Sequence, residues 1–226
     1  MKTFRAILVL MLICGHAAAV DLAGLTKGEM TGGLKETLSK SATAAVAALG
    51  REDGFLRNEK VKIPLPGNLA RVEGVMRTFG MGKQADELVV AMNRAAEAAV
   101  PESKKLLVDA VKKMSIDDAK GIITGGDDAA TAYFRKNTES ALTAKFLPIV
   151  KKNTEKVGLA QRYNALAGKA SQFGLVDKGQ GNIETYVTQQ ALDGLYKMIA
   201  EQEKLIRQDP VGQGSKLIGK IFGFGG

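Results

Sequence analysis

Apolar residues recur at helical spacing along most of the chain. The first such series is Leu34, Leu38, Ala42, Ala45 and Leu49. Steps of three and four place these side chains on one face of a helix, and Gly50 follows where that helix would end. The same spacing returns in further stretches around Leu69–Phe79, Leu88–Ala99, Leu106–Val111 and Ile183–Ile199. Strong helix formers fill these stretches and runs of β-branched residues are rare, so the pattern predicts an all-α fold in a single domain.

Residues with capping chemistry indicate where several helices begin and end. Ser115 and Asp118 have the spacing of a capping box, which predicts a short helix that Gly125 would end. Asp127-Asp128 is expected to cap the next helical stretch, which runs from Ala129 to about Phe173. Two helix breakers within that stretch predict a kink or a break, at Pro148 and Gly158.

One stretch departs from helical spacing. Val61 and Ile63 alternate with Lys60 and Lys62, and Pro64-Leu-Pro66-Gly67 follows. Alternation with period two and two prolines are typical of extended backbone, so we expect a short extended segment near residues 60–66 between helices.

The N-terminus has the features of an export signal. Lys2 and Arg5 precede the apolar run Ala6–Ile13, and the small residues Ala17–Ala19 follow. The run is far shorter than the roughly 20 residues of a membrane-spanning helix. We therefore predict a cleaved signal peptide at residues 1–19, a periplasmic location, a helical domain at 20–213 and a C-terminal tail at 214–226.

Cleavage there would remove the chain's one cysteine and one histidine, Cys14 and His16. A lipoprotein would use Cys14, but Ile13 is not the small residue that lipidation requires before the cysteine. The mature chain would then lack disulfides, thiolate or imidazole metal ligands, and Ser-His or Cys-His nucleophiles. We predict no cofactor and no metal site. An enzyme using Asp, Glu or Tyr, with a divalent ion held by oxygen ligands, remains an alternative.

The charge of the chain is unevenly distributed. Lys and Arg number 32 against 24 Asp and Glu, a net charge of +8 that falls to +6 without Lys2 and Arg5. Between Arg135 and Lys169, eight basic residues stand against Glu139 and Glu155. Such a face attracts lipid head groups or acidic polymers, although a solvated helix surface has the same composition. With aromatic residues at only 5%, stacking on nucleic acid is not expected.

Two groups of polar residues are candidates for binding a polar head group. Asn93, Arg94 and Glu97 share a face of an otherwise apolar helix, where a structural Arg–Glu pair is the alternative. The other candidates lie further along the chain, at Thr131, Tyr133, Arg135 and Arg207. The acidic pairs at Asp117-Asp118 and Asp127-Asp128 fall at predicted helix starts, where acids are stabilised in any case.

The C-terminal tail is amphipathic. Lys216 and Lys220 are four residues apart, and the apolar residues opposite them are Leu217, Ile218, Ile221 and Phe222. This arrangement is typical of a short helix that contacts a membrane or a partner protein, or that folds back on its own core.

Seven blocks of sequence are more distinctive than a generic helix. They are Leu34-Lys-Glu-Thr-Leu38, Val61-Lys-Ile-Pro-Leu-Pro66, Met92-Asn-Arg-Ala-Ala-Glu97, Gly125-Gly-Asp-Asp-Ala-Ala-Thr-Ala-Tyr-Phe134, Tyr186-Val-Thr, Ala191-Leu-Asp-Gly-Leu-Tyr196, and Glu203-Lys-Leu-Ile-Arg207 before Asp209-Pro210 and a Phe222-Gly end. In that order they resemble a bacterial family of secreted proteins known as domain of unknown function 4197. The resemblance implies a Gram-negative envelope protein and brings no activity, ligand or catalytic residue with it.

The sequence therefore favours a non-catalytic envelope protein that binds a lipid or another amphipathic or anionic small molecule. The alternative is a structural protein that docks through its tail on an envelope protein or a membrane surface.

Overall fold

The computed structural model describes residues 27–172, 182–213 and 216–221, and no strand occurs among them. The helices are α1 (Lys27–Leu49), α2 (Gly67–Thr78), α3 (Gly82–Ala99), α4 (Ser103–Lys113), α5 (Ile116–Thr124), α6 (Ala129–Thr154), α7 (Gly158–Gln172), α8 (Ile183–Gln208), α9 (Pro210–Gln213) and α10 (Lys216–Ile221). A turn of 3₁₀ helix at Val100–Glu102 joins α3 to α4. The predicted all-α fold is confirmed. The predicted signal peptide lies outside the described residues.

Helix α6 lies at the centre of the fold, packed mainly against α8 and α3. Apart from Thr131, its buried side chains recur every four residues: Ala130, Phe134, Thr138, Leu142, Phe146, Val150 and Thr154. Four residues turn an α-helix through about 400°, so each step rotates the buried face by about 40°. Over its length α6 is thus covered by different neighbours on different sides, and it has no single apolar face.

The segment between α1 and α2 forms a turn at residues 59–61 and is extended over residues 62–66, close to the predicted range, and it pairs with no strand in the described part of the chain. Val61, Ile63 and Leu65 are buried, and Lys62 and Pro64 between them are exposed. Alternate side chains therefore enter the core while the backbone runs along the surface of the helices.

Two predictions about helix starts have different outcomes. The capping box is confirmed: the Asp118 amide donates to Ser115 Oγ (3.0 Å), and the Ser115 amide donates to Asp118 Oδ2 (2.9 Å). The prediction that the Asp128 side chain caps α6 is wrong, because that side chain makes no capping hydrogen bond. Glu203, from α8, takes its place by accepting from the Ala130 and Thr131 amides at 2.9 Å each.

The long helical stretch is broken once. Helix α6 continues through Pro148 and ends at Thr154, and α7 begins at Gly158. The predicted break near Gly158 is confirmed. Helix α8 ends at Gln208, directly before Asp209-Pro210, as the sequence indicates.

Candidate functional site

Asn93 holds the extended segment against α3. The Ile63 amide donates to Asn93 Oδ1 (2.8 Å), and Asn93 Nδ2 donates to the carbonyl oxygens of Ile63 (2.9 Å) and Val89 (2.8 Å). Asn93 and Ile63 are both fully buried. The side-chain amide thus replaces the neighbouring strand that an extended backbone normally pairs with.

Glu97, one turn further along α3, holds the loop that follows α1. Its Oε1 accepts from the Phe55 and Leu56 amides (3.0 and 3.1 Å), and its Oε2 accepts from Arg94 (2.6 Å). Arg94 also reaches Asp53 at 2.7 Å. The hydrogen bond to Glu97 raises the pKa of Arg94 above its ordinary value. The arrangement is that of a structural Arg–Glu pair, which anchors a loop to a helix.

Glu203 and Arg207 form a second buried pair at the other side of the fold. Besides the two α6 amides, Glu203 accepts from the Thr131 hydroxyl (2.9 Å) and from Arg207 Nη2 (2.8 Å). Arg207 also donates to the Ile122 carbonyl at the end of α5 (2.9 Å). The pair therefore fixes the end of α5, through Arg207, and the start of α6, through Glu203, against α8, and the Thr131 and Arg207 side chains are engaged within the protein.

Tyr133 and Arg135 also have partners within the chain. The Tyr133 hydroxyl donates to the Ala110 carbonyl (2.8 Å), and burial raises the pKa of Tyr133. Arg135 bonds Glu139 and Asp193 at 3.0 Å each and lies 4.5 Å over the ring of Tyr196. These contacts join α6 to α4 and α8. The polar residues singled out from the sequence thus fall into separate clusters and do not line one common cavity.

The described part of the tail folds back on the protein. Ile218 and Ile221 of α10 are buried with Ile206, and Met30 and Ile123 pack against this cluster. Phe222 lies outside the described residues. The side chains of Lys216, Leu217 and Lys220 also lie outside the described part, although their backbone belongs to α10. Of the predicted membrane or partner contacts, Ile221 faces the protein's own helices in this structure.

An apolar groove lies beside the tail, between the first turn of α1 and α5. We call it the α1–α5 groove; its volume is about 340 Å³, and it is lined by Met30, Thr31, Ile116, Asp117, Ala119, Lys120, Ile123 and Thr124. Ile116 remains 55% exposed although it borders the groove. Met30 and Ile123 belong to both the groove and the tail cluster. Lys120, exposed at the groove, supplies a cation beside apolar walls.

Sequence reasoning missed the groove and the role of Glu203. The groove had one signal, since Ile116, Ala119 and Ile123 recur at the spacing of one apolar face of α5. The role of Glu203 had a weaker signal in the sequence: Arg207 follows it by four residues, the spacing of an ion pair on one helix face.

Acidic side chains were the candidate ligands for a divalent ion in the sequence. Among them, no group of three or more His, Cys, Asp or Glu side chains could hold a metal ion. Hydrogen bonds from Ser115 lower the pKa of Asp118, which keeps this carboxylate ionised in its capping box. Over the same part of the chain, the search for a helix long and apolar enough to span a membrane found none.

These features define an all-helical domain in which the buried Asn93, Glu97 and Glu203 serve the architecture and an apolar groove is open to solvent. The chain belongs to the family described as Protein of unknown function (DUF4197), which matches residues 24–223. The comparisons with curated proteins and with solved structures gave no match.

Proposed function

We propose that this protein is a non-catalytic binding protein of the bacterial envelope that holds the apolar part of an amphipathic, anionic molecule in the α1–α5 groove. One observation carries the proposal: an open groove of about 340 Å³ with the apolar side chains of Met30, Ile116 and Ile123 in its wall. Ligand sites of small molecules are concave, mostly apolar and roughly 300–1,000 Å³ in volume. This groove lies at the lower end of that range, which suits a single hydrocarbon chain.

The charge at the groove supports an anionic head group. Lys120 lies on the same helix as Ile116 and Ile123, and its side chain is exposed, so it can meet a carboxylate while the hydrocarbon part lies against the apolar wall. Asp117 also lines the groove, three residues before Lys120 on the same side of α5, and would disfavour an anion placed next to it. The head group is therefore expected at the Lys120 end of the groove.

The burial of Ile218 and Ile221 favours this function over docking through the tail. A partner that bound the apolar residues of α10 would first have to separate them from Met30 and Ile123. The export signal predicted at residues 1–19 supports an envelope location.

Binding of a fluorescently labelled medium-chain fatty acid to the purified protein tests the proposal. Ile116→Asp should weaken binding at least tenfold, because burying an isoleucine side chain contributes about 1.5–3 kcal/mol and about 1.4 kcal/mol corresponds to tenfold. The substitution suits the fold, since Ile116 is the first residue of α5 and an acid is favourable at a helix N-terminus. Lys120→Gln should weaken binding of the acid and leave the matching fatty alcohol unaffected.

Val75→Asp is the matched control, because Val75 is 58% exposed on α2, outside the groove. It should bind the probe as the wild type does. If the wild type does not bind, or if Ile116→Asp binds as tightly as Val75→Asp, the groove is not a ligand site.

A further inference from the structure

The C-terminal half of α6 exposes a surface that differs from the α1–α5 groove. Its apolar part consists of Ala141, Ala144, Leu147 and Pro148, all of them exposed. Leu147, the largest, is 40% exposed. At about 100° per residue these positions share one side of the helix, away from the buried Leu142, Phe146 and Val150.

Lysines border this apolar strip. Lys145, Lys151 and Lys152 are exposed on the same side of α6, and residues 140–154 include no acidic residue. Lys145 has Glu102 at 3.9 Å, whereas Lys151 and Lys152 form no ion pair with any residue that the structure describes. We name the four apolar residues and these three lysines the α6 lysine face.

We propose that the α6 lysine face binds the surface of an anionic lipid bilayer. Exposed lysines beside a shallow apolar strip are the chemistry of an interfacial helix, whose cations meet lipid phosphates while the apolar side chains enter the head-group region. A soluble polyanion would use the lysines and leave Leu147 without a role. A protein partner would need larger apolar side chains than the two alanines. The bilayer accounts for both parts of the face.

This binding is separate from the ligand that we propose for the α1–α5 groove, because α1 and α5 contribute no residue to the α6 lysine face. The Ile116→Asp variant should therefore bind vesicles as the wild type does. A failure of one proposal leaves the other standing.

Flotation with vesicles of phosphatidylcholine, with or without phosphatidylglycerol, tests the proposal on the purified protein. The wild type should float only with the anionic vesicles, and added salt should release it. Substituting Lys145, Lys151 and Lys152 by Gln should lower the partition coefficient about a hundredfold, since each basic residue near an anionic surface contributes about a factor of five. The control substitutes Lys62, Lys83 and Lys204 by Gln, which are exposed on three other elements and carry the same total charge.

A second pair of variants tests the apolar strip. Leu147→Asn should lower the partition coefficient severalfold, whereas Leu205→Asn, at a position of α8 that is 44% exposed, should leave it unchanged. Equal binding to neutral vesicles would overturn the proposal, as would an equal loss in the two lysine variants. An unchanged Leu147→Asn variant would overturn it in favour of a soluble polyanion. Circular dichroism of each variant verifies that these surface changes leave the helices intact.

Discussion

Asn93 and Ile63 exchange hydrogen bonds in both directions, with the side chain of one residue pairing with the backbone of the other. Replacing Asn93 by the similarly sized Leu would leave the Ile63 N–H and C=O buried without partners. Each unsatisfied group costs about 1–3 kcal/mol, so the free energy of unfolding should fall by about 2–4 kcal/mol in urea titrations. Asn137→Leu is the control, because Asn137 is exposed and bonds only the Tyr133 carbonyl of its own helix. A change equal to that of the control would contradict the role of Asn93.

Glu203 should be among the most sensitive positions of the chain. Glu203→Gln keeps the shape but presents an amide N–H₂ to backbone donors and leaves Arg207 without its carboxylate. Breaking a buried ion pair costs about 3–5 kcal/mol, and a loss near the lower limit is expected because Gln still accepts one hydrogen bond. Glu36→Gln removes an exposed pair with Lys40 and should cost less than about 1 kcal/mol. Thermal or urea unfolding of the two variants tests this difference.

Two glycines should respond to alanine with opposite signs. A Cβ at Gly54 would overlap the Leu49 carbonyl oxygen and lie 2.7 Å from that of Ala48, so Gly54→Ala should destabilise by about 1–3 kcal/mol. A Cβ at Gly121, inside α5, would meet nothing within 4 Å. Gly121→Ala should stabilise the protein by about 0.5–1 kcal/mol, because alanine is the better helix former. Melting temperatures of the two variants that shift in the same direction would refute this account.

The hydroxyl of Tyr196 predicts how stability changes in alkali. It lies 2.8 Å from Thr138 Oγ1, and burial raises the pKa of Tyr196 from 10.0 to about 12. Between these two values the unfolded chain releases this proton and the folded chain keeps it, so unfolding becomes more favourable as pH rises. Below the lower value both states are protonated and the contribution is constant.

Tyr196→Phe should therefore cost about 1 kcal/mol at neutral pH, through the lost hydrogen bond, and should be less sensitive to alkali than the wild type. Urea titrations of both proteins at neutral pH and near pH 11 measure the difference. The absorbance of ionised tyrosines provides a second readout. Tyr196 should be the last tyrosine to ionise in the wild type, and this last step should be missing from the variant. Parallel pH profiles of stability would show that Tyr196 does not carry the effect.

The helices were predictable because their determinants are local. Apolar spacing, the capping box of Ser115 and Asp118, and the breaker at Gly158 act within a few residues of one another, and the structure has the corresponding elements. The extended segment was predictable for the same reason. The function of its neighbour Asn93 was open, because a buried asparagine has many ways to satisfy its amide.

The candidate sites were less predictable, since they depend on contacts between residues distant in the chain. Asp128 occupies the N-cap position of α6, but the side chain that accepts from the first amides belongs to Glu203, 73 residues from Ala130. The arginines at positions 94, 135 and 207 looked available for a head group, but each is paired with carboxylates within the fold. The groove arises where the start of α1 meets α5, and the apolar spacing within α5 does not indicate which helix lies opposite it.

The sequence by itself determined that the chain is helical, where most helices begin and end, and to which family it belongs, because these properties are written in short-range patterns. Only the tertiary structure decided which polar residues are used internally and which surfaces stay open. Helix α6 illustrates the physical reason: its buried positions recur every four residues while the helix turns every 3.6, so its covered side rotates along its length. The side that faces solvent at each level, and with it the lysine face, depends on how α3, α4 and α8 pack around that helix.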